Sequence, residues 1–225
     1  MFFYFDKNPF IAIIGDIRDS RSLSLRNGVQ EKLKIVLDGI NNKYEQEIAS
    51  KFVTTLGDEF QGLLSNGTSV LKIIEEIRMQ LYPVDMRFGI GIGKITTDIN
   101  TEMALGADGP GYYKAREAVE KIKENEKKKK AVVSDIRLEQ EMGNEQQIVL
   151  INTVFELLKS IEQKWTERQR EIIWNMLKYQ DGQEKVACRM GITQSSVHKS
   201  LVSGQYYTYE KAMKNVQDIL GEIRV

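Results

Sequence analysis

Hydrophobic and polar positions change period near the middle of this chain. Up to residue 136, short apolar runs alternate with stretches whose apolar residues recur every three or four positions, the pattern of strands interleaved with helices. Asn8 to Gly15 reads as a first strand, and Leu23 to Ala49 as a helix with Val29, Leu33, Val36, Leu37 and Ile40 on one face. Lys51 to Leu64 reads as a strand, or as a hairpin around Gly57-Asp58. Ser69 to Tyr82 is a second predicted helix, capped by Thr68 or Ser69, with Leu71, Ile74, Ile77, Met79 and Leu81 buried. Asp85 to Thr96 is a strand whose alternate glycines, Gly89, Gly91 and Gly93, leave one face bare, so that a helix or a ligand can approach the backbone. A glycine-rich loop at 106–111 precedes a helix from Tyr112 to Lys127 and a last strand from Ala131 to Ile136. Glu139 to Gln147 is polar and reads as a linker. Beyond it strand patterns vanish and helical spacing takes over. The pattern predicts an α+β domain over 1–138, a linker over 139–147 and an all-α domain over 148–225.

Composition narrows the classes. The 225 residues are 41% hydrophobic and 28% charged, with zero formal net charge, as in a soluble globular protein of one or two domains. Zero net charge argues against a protein that coats polyanions, while a local basic face would still serve a specific nucleic-acid contact. The lone cysteine, Cys188, has no internal disulfide partner, which points to a reducing compartment, and it reads as a small packing residue. No apolar run reaches the roughly 18 residues of a membrane helix. Met1 to Asp6 is apolar but has neither a basic start nor a cleavage site, and reads as the edge of the first strand, not a signal peptide. The expected location is the cytoplasm. Lys127 to Lys130 reads as a solvated helix end.

Two apolar runs end in a Gly-Asp pair: Ile11 to Gly15 with Asp16, and Val53 to Gly57 with Asp58. The span between them holds a crossover helix and a return strand, so the two carboxylates can converge. Paired carboxylates at strand ends are the oxygen donors a divalent cation needs. Asp19, Glu59 and Asp108 are second-rank candidates, Asp19 being equally able to pair with Arg18 or Arg21.

The stretch from Gln183 to Leu201 carries a second kind of chemistry. Ala187 is small where two helices would touch, Gly191 permits a left-handed turn, Thr193 can cap a following helix, and Val197 and Leu201 face a core. The remaining face presents Gln194, Ser195, Ser196, His198 and Lys199, amides and hydroxyls suited to base edges and a cation suited to phosphate. Upstream, Thr166 to Gln169 has the form of a capping box, opening a helix braced by Ile172, Ile173, Met176 and Leu177. The segment resembles the helix-turn-helix of sigma-factor and response-regulator domains. A three-helix bundle that touches no DNA is the plainer alternative. His198, the sole histidine, cannot make a histidine-based metal site and reads as a polar surface or DNA-facing residue.

The order Asp16-Ile17, then Leu56 to Phe60, then Arg87 to Gly93, then Lys114-Ala115-Arg116 resembles class III nucleotidyl cyclases. Gly57 to Phe60 is also similar to the Gly-Gly-Asp-Glu-Phe signature of diguanylate cyclases. The resemblance implies a ferredoxin-like palm that binds a nucleotide with magnesium or manganese. Asp16 and Asp58 would be the catalytic metal ligands, the Ile17 carbonyl a third, and Gly57, Lys114 and Arg116 nucleotide contacts. The departures are Tyr112 where the cyclases have asparagine, Thr54 where they have a purine-selecting lysine, and Leu56 for the first glycine of the signature. End to end, on Gly15 to Arg21, Thr55 to Gly62 and Gly106 to Glu117, the chain resembles the SatD family. The expectation is a DNA-binding regulator, dimeric as cyclase-type palms are, that senses a nucleotide. The alternatives are an active nucleotidyl cyclase or nucleotidyltransferase, and a non-catalytic binding module whose acidic pair is structural.

Overall fold

The computed structural model describes residues 9–19, 26–55, 58–104, 106–128 and 132–223. Five strands form one mixed sheet in the order β2-β3-β1-β4-β5: β1 Phe10–Ile17, β2 Ile48–Thr54, β3 Glu59–Leu64, β4 Met86–Gly93 and β5 Ile136–Gln140. β1 lies in the middle, antiparallel to β3 and β4, while β4 and β5 run parallel. Helices α1 (Arg26–Lys43) and α2 (Val70–Leu81) connect β1 to β2 and β3 to β4, giving the split βαβ order expected of a ferredoxin-like unit. Central placement explains why Ile11 to Ile14 are buried as a continuous run: both faces of β1 are covered.

The two faces are covered differently. Ile11, Ile13, Phe60, Phe88 and Ile90 join the buried faces of α1 and α2 in one core. The opposite face packs on α3 (Pro110–Lys128), through Ala12, Ile14, Leu63, Tyr112, Ala115 and Val119. The bare strip of β4 is taken by this helix. A Cβ on Gly91 would lie 2.1 Å from Gly111 O and 2.2 Å from Ala115 N, and one on Gly89 2.1 Å from Ala115 O. Glycine there sets the helix-to-sheet distance.

Several boundaries differ from expectation. α1 ends at Lys43 and β2 begins at Ile48, so Lys43 to Ala49 are not all helical. The hairpin reading of Lys51 to Leu64 holds, with β2 and β3 antiparallel. The last strand lies at Ile136–Gln140, after the apolar run expected to form it. Its register, Phe88 opposite Ile136 and Ile90 opposite Leu138, inserts only its alternate apolar residues into the core. The stretch expected as a linker ends β5 and begins α4 (Glu145–Glu162), leaving four residues between them.

Four further helices follow: α5 Glu167–Tyr179, α6 Gln183–Met190, α7 Gln194–Ser203 and α8 Tyr206–Leu220. α4 and α8 add Ile148, Ile151, Phe155, Val216 and Leu220 to the core of the sheet, and Ile223, just beyond α8, joins them. α5 to α7 form a second cluster with Trp165 and Tyr209. Both sheet edges are closed by a buried asparagine. Asn41 of α1 bonds Phe52 N and O of β2 at 2.7 and 2.9 Å, and Asn152 of α4 bonds Leu138 N and O of β5 at 2.8 and 2.9 Å. Each amide supplies the donor and acceptor that a missing strand would have provided.

Candidate functional site

The end of β1, the β2–β3 hairpin and α3 meet at one corner of the sheet. Ile17 N–H donates to Asp58 O at 3.0 Å, so the backbone after Asp16 runs beside that of Asp58. Asp16 sits in register with Glu59 of β3 on one side and Arg87 of β4 on the other. Cross-strand partners share a face, so all three lie on the α3 side of the sheet, where its apolar surface gives way to charge.

Asp16, 8% exposed, is an ion-pair partner. Arg87 Nη1 donates to its Oδ2 at 2.6 Å and Lys123 Nζ lies 3.3 Å from its Oδ1. Arg87 also forks onto Glu126 through Nε at 3.0 Å and Nη2 at 2.7 Å. Burial opposes the charge on Arg87, but the bonds to Glu126 and Asp16 outweigh it and hold its pKa above the usual value. Arg116 pairs with Glu59, which also accepts from Thr55 Oγ1 at 3.2 Å, and Lys114 pairs with Glu117 at 2.7 Å. Asp58 is half-buried. Ile17 is buried, and Gly57 lies outside the described residues. Of the second-rank residues, Asp108 accepts from Tyr113 Oη at 2.6 Å, and Asp19 takes a left-handed conformation at φ 49°. Tyr112 is buried beneath the start of α3, and burial pushes its hydroxyl pKa far up.

This donor set does not fit a divalent cation as arranged. Both Asp16 oxygens face cationic side chains, and among the described residues no group of three His, Cys, Asp or Glu side chains is placed to hold a metal ion. The contacts that pattern reading missed are Arg87, Lys123 and Glu126. Arg87 had a readable signal, since it shares the parity of Gly89, Gly91 and Gly93 and so faces α3.

The second candidate surface lies on α6 and α7. α6 ends at Gly191, φ 62°, with Ile192 N–H donating to Ala187 O at 3.0 Å. Thr193 caps α7, its Oγ1 accepting from Ser196 N at 3.2 Å. Val197 and Leu201 are fully buried, while Thr193, Gln194, Ser195, Ser196, His198 and Lys199 are exposed. The capping box Thr166/Gln169 opens α5 as expected. Cys188 is exposed, a correction to its reading as a packing residue: on α6 the buried positions are Val186 and Ala187. Lys127 and Lys128 end α3 in the open, and Lys129 and Lys130 lie outside the described residues. Among the described residues no helix is long and apolar enough to cross a membrane.

Solved structures similar to part of the chain include the non-canonical dimeric guanylyl cyclase domain of the RhoGC fusion protein from the aquatic fungus Blastocladiella emersonii. It is 15% identical with a TM-score of 0.40, over 51% of this chain and 74% of that one. The guanylate cyclase domain of RhGC from Catenaria anguillulae, in complex with GTP, is 14% identical with a TM-score of 0.37, over 50% of this chain and 72% of that one. No curated protein matches the chain. The model of the SatD family matches residues 10–220, and the chain belongs to that family.

Proposed function

We propose that this protein is a DNA-binding regulator, with the cluster of α5, α6 and α7 as its DNA-binding element and the sheet, completed by α4 and α8, as the receiver of a nucleotide. The observation that carries the reading is the division of α7: Val197 and Leu201 are buried while Thr193, Gln194, Ser195, Ser196, His198 and Lys199 face outward on a capped helix. That face offers hydrogen-bonding groups and one cation, Lys199, suited to base edges and phosphate. Nucleotide phosphates would meet Arg116 and Lys114, which now pair with Glu59 and Glu117 and would exchange those partners for the ligand. Magnesium or manganese enters this reading only as a competitor of Arg87 and Lys123 for Asp16. Turnover is not part of it, since Tyr112 fills the cyclase asparagine position with a buried ring. Two copies would set two α7 helices on half-sites about one DNA turn apart.

Selection from a random duplex library at moderate salt tests the reading. The expected result is an enriched motif, with Lys199→Ala weakening all sequences and lowering the salt dependence, and Gln194→Ala relaxing preference at a cost of about 1–3 kcal/mol. No enriched motif, with residual binding indifferent to Lys199→Ala, would sink it. The second reading, a binding module with a structural acidic pair, draws on the Arg87 and Lys123 contacts to Asp16. Light scattering with and without DNA checks the dimer.

A further inference from the structure

The cations on Asp16 begin a longer run of ion pairs. Arg87 shares Glu126 with Arg18, at 2.7 and 2.8 Å. Arg18 reaches Asp135 at 2.7 Å. Asp135 also takes Lys159 and, at 3.3 Å, Arg78. Arg78 donates to both oxygens of Glu162 at 2.8 and 2.7 Å, and Arg170 of α5 reaches the same carboxylate at 2.9 Å. Charge alternates in sign along the run, which crosses from the end of β1 through β4, α3, the approach to β5, α2 and α4. From Asp16 to Glu162 its side chains are 5% to 24% exposed, so solvent screens them weakly.

Each carboxylate serves at least two cations, and that sharing makes the run a series of competitions. If Asp16 loses its charge, Arg87 and Lys123 lose an acceptor and Arg87 turns wholly to Glu126. Glu126 then holds Arg18 less, and Arg18 settles on Asp135. Arg78 and Lys159 give way there and lean on Glu162, which loosens Arg170. The far end is wired into the second cluster. The Arg170 guanidinium lies 5.8 Å from the Trp165 ring centroid and 5.4 Å from that of Trp174. Trp165 Nε1 in turn donates at 2.7 Å to the carbonyl of Gly204, the C-cap of α7.

We propose that this run of ion pairs couples the charge at Asp16 to the setting of α5 and α7. Its regulatory meaning rests on the reading in which a ligand binds at the Asp16 corner and α7 reads DNA; the coupling itself does not. The chain has two tryptophans, and both stack on Arg170, so intrinsic emission reports the far end without any ligand or DNA. In the full-length protein, Asp16→Asn should increase acrylamide quenching of that emission. Lys123→Met, which leaves Arg87 as the stronger partner of Asp16, should shift quenching the opposite way, and it serves if Asp16→Asn does not fold. In an Arg18→Gln background, which cuts the run midway, either change should vanish. Wild-type quenching in the folded single variants, or shifts of equal size with and without Arg18, overturns the proposal. A wild-type protein that selects no DNA sequence, with these shifts intact, would fault the DNA reading alone.

Discussion

The same substitution, glycine to alanine, should have opposite effects at two positions. At Gly91 a Cβ meets Gly111 O at 2.1 Å, Ala115 N at 2.2 Å and Ala115 Cα at 2.9 Å, all backbone. No side chain can rotate away, so α3 must retreat by about 1 Å, a gap that forfeits roughly a quarter to a half of each dispersion contact under it. Overpacking alone costs about 1–3 kcal/mol, and the loosened face includes Tyr112, Ala115, Ala118, Val119 and Ile122. The total should be about 3–5 kcal/mol, a fall in Tm of roughly 10 °C for a chain of this size. Gly39 lies within α1, exposed, with nothing within 4 Å of an added Cβ. Gly39→Ala should therefore stabilise by about 0.5–1 kcal/mol through lower chain entropy and better helix propensity. Urea denaturation of both variants, with equal m-values, is the assay. A Gly91→Ala protein as stable as wild type would refute the packing of α3 on β4, and a destabilised Gly39→Ala protein would refute the exposed course of α1.

Asn152→Ala should cost about 2–4 kcal/mol, because Leu138 N–H and C=O lose both partners at a buried edge, and hydrogen exchange at Leu138 should rise. Glu162→Gln should cost about 3–5 kcal/mol at pH 7 by leaving Arg78, Lys159 and Arg170 undercompensated. Burial opposes the Glu162 charge, but these cations hold its carboxyl below its usual value. Its contribution is thus present above an unfolded pKa of about 4.3 and is lost as pH falls through the lower folded value, so the variant should flatten that part of an acid titration. Thr193→Ala should cost about 1 kcal/mol by removing the α7 cap, read by thermal melting.

The elements whose burial follows a period were legible from the chain. Leu33, Val36, Leu37 and Ile40, and Leu71, Ile74 and Ile77, are buried as their spacing requires. β5 was misplaced because only Ile136 and Leu138 face the core, so a short alternating strand looked weaker than the apolar run before it. The linker reading failed for a related reason: Glu139 and Gln147 are polar yet buried, and Glu139 is held by Lys121 at 3.0 Å and Arg137 at 2.8 Å. Local composition does not reveal such partners. Asp16 is the same case at longer range. That a carboxylate would end β1 was readable, but its pairing with Arg87 depends on a strand register, and with Lys123 on where α3 lies.

Whether the sheet half stands alone can be argued from what the later helices give it. Beyond residue 144 the chain supplies Asn152 to the β5 edge and Ile148, Ile151 and Phe155 to the sheet core. From α8, Gln217 Oε1 accepts from Leu71 N at 2.8 Å in the first turn of α2, and Gln217 Nε2 donates to Gly67 O at 2.6 Å. Gly67 N–H reaches Ile223 O at 3.1 Å, and a Cβ on Gly67 would lie 1.8 Å from Leu220 O, so the β3–α2 turn is shaped around the end of α8. A fragment ending at residue 144 would expose Ile136 and Leu138 on β5 and leave an unclosed edge, the features that drive edge-to-edge association. It should bind a hydrophobic dye, unfold with a lower m-value per residue than the full chain, and aggregate as concentration rises. Adding residues 145–223 as a separate chain should restore part of the stability by mass action. A fragment that stays monomeric and unfolds cooperatively at the temperature of the intact protein would show instead that α4 and α8 cover the sheet without being needed to form it.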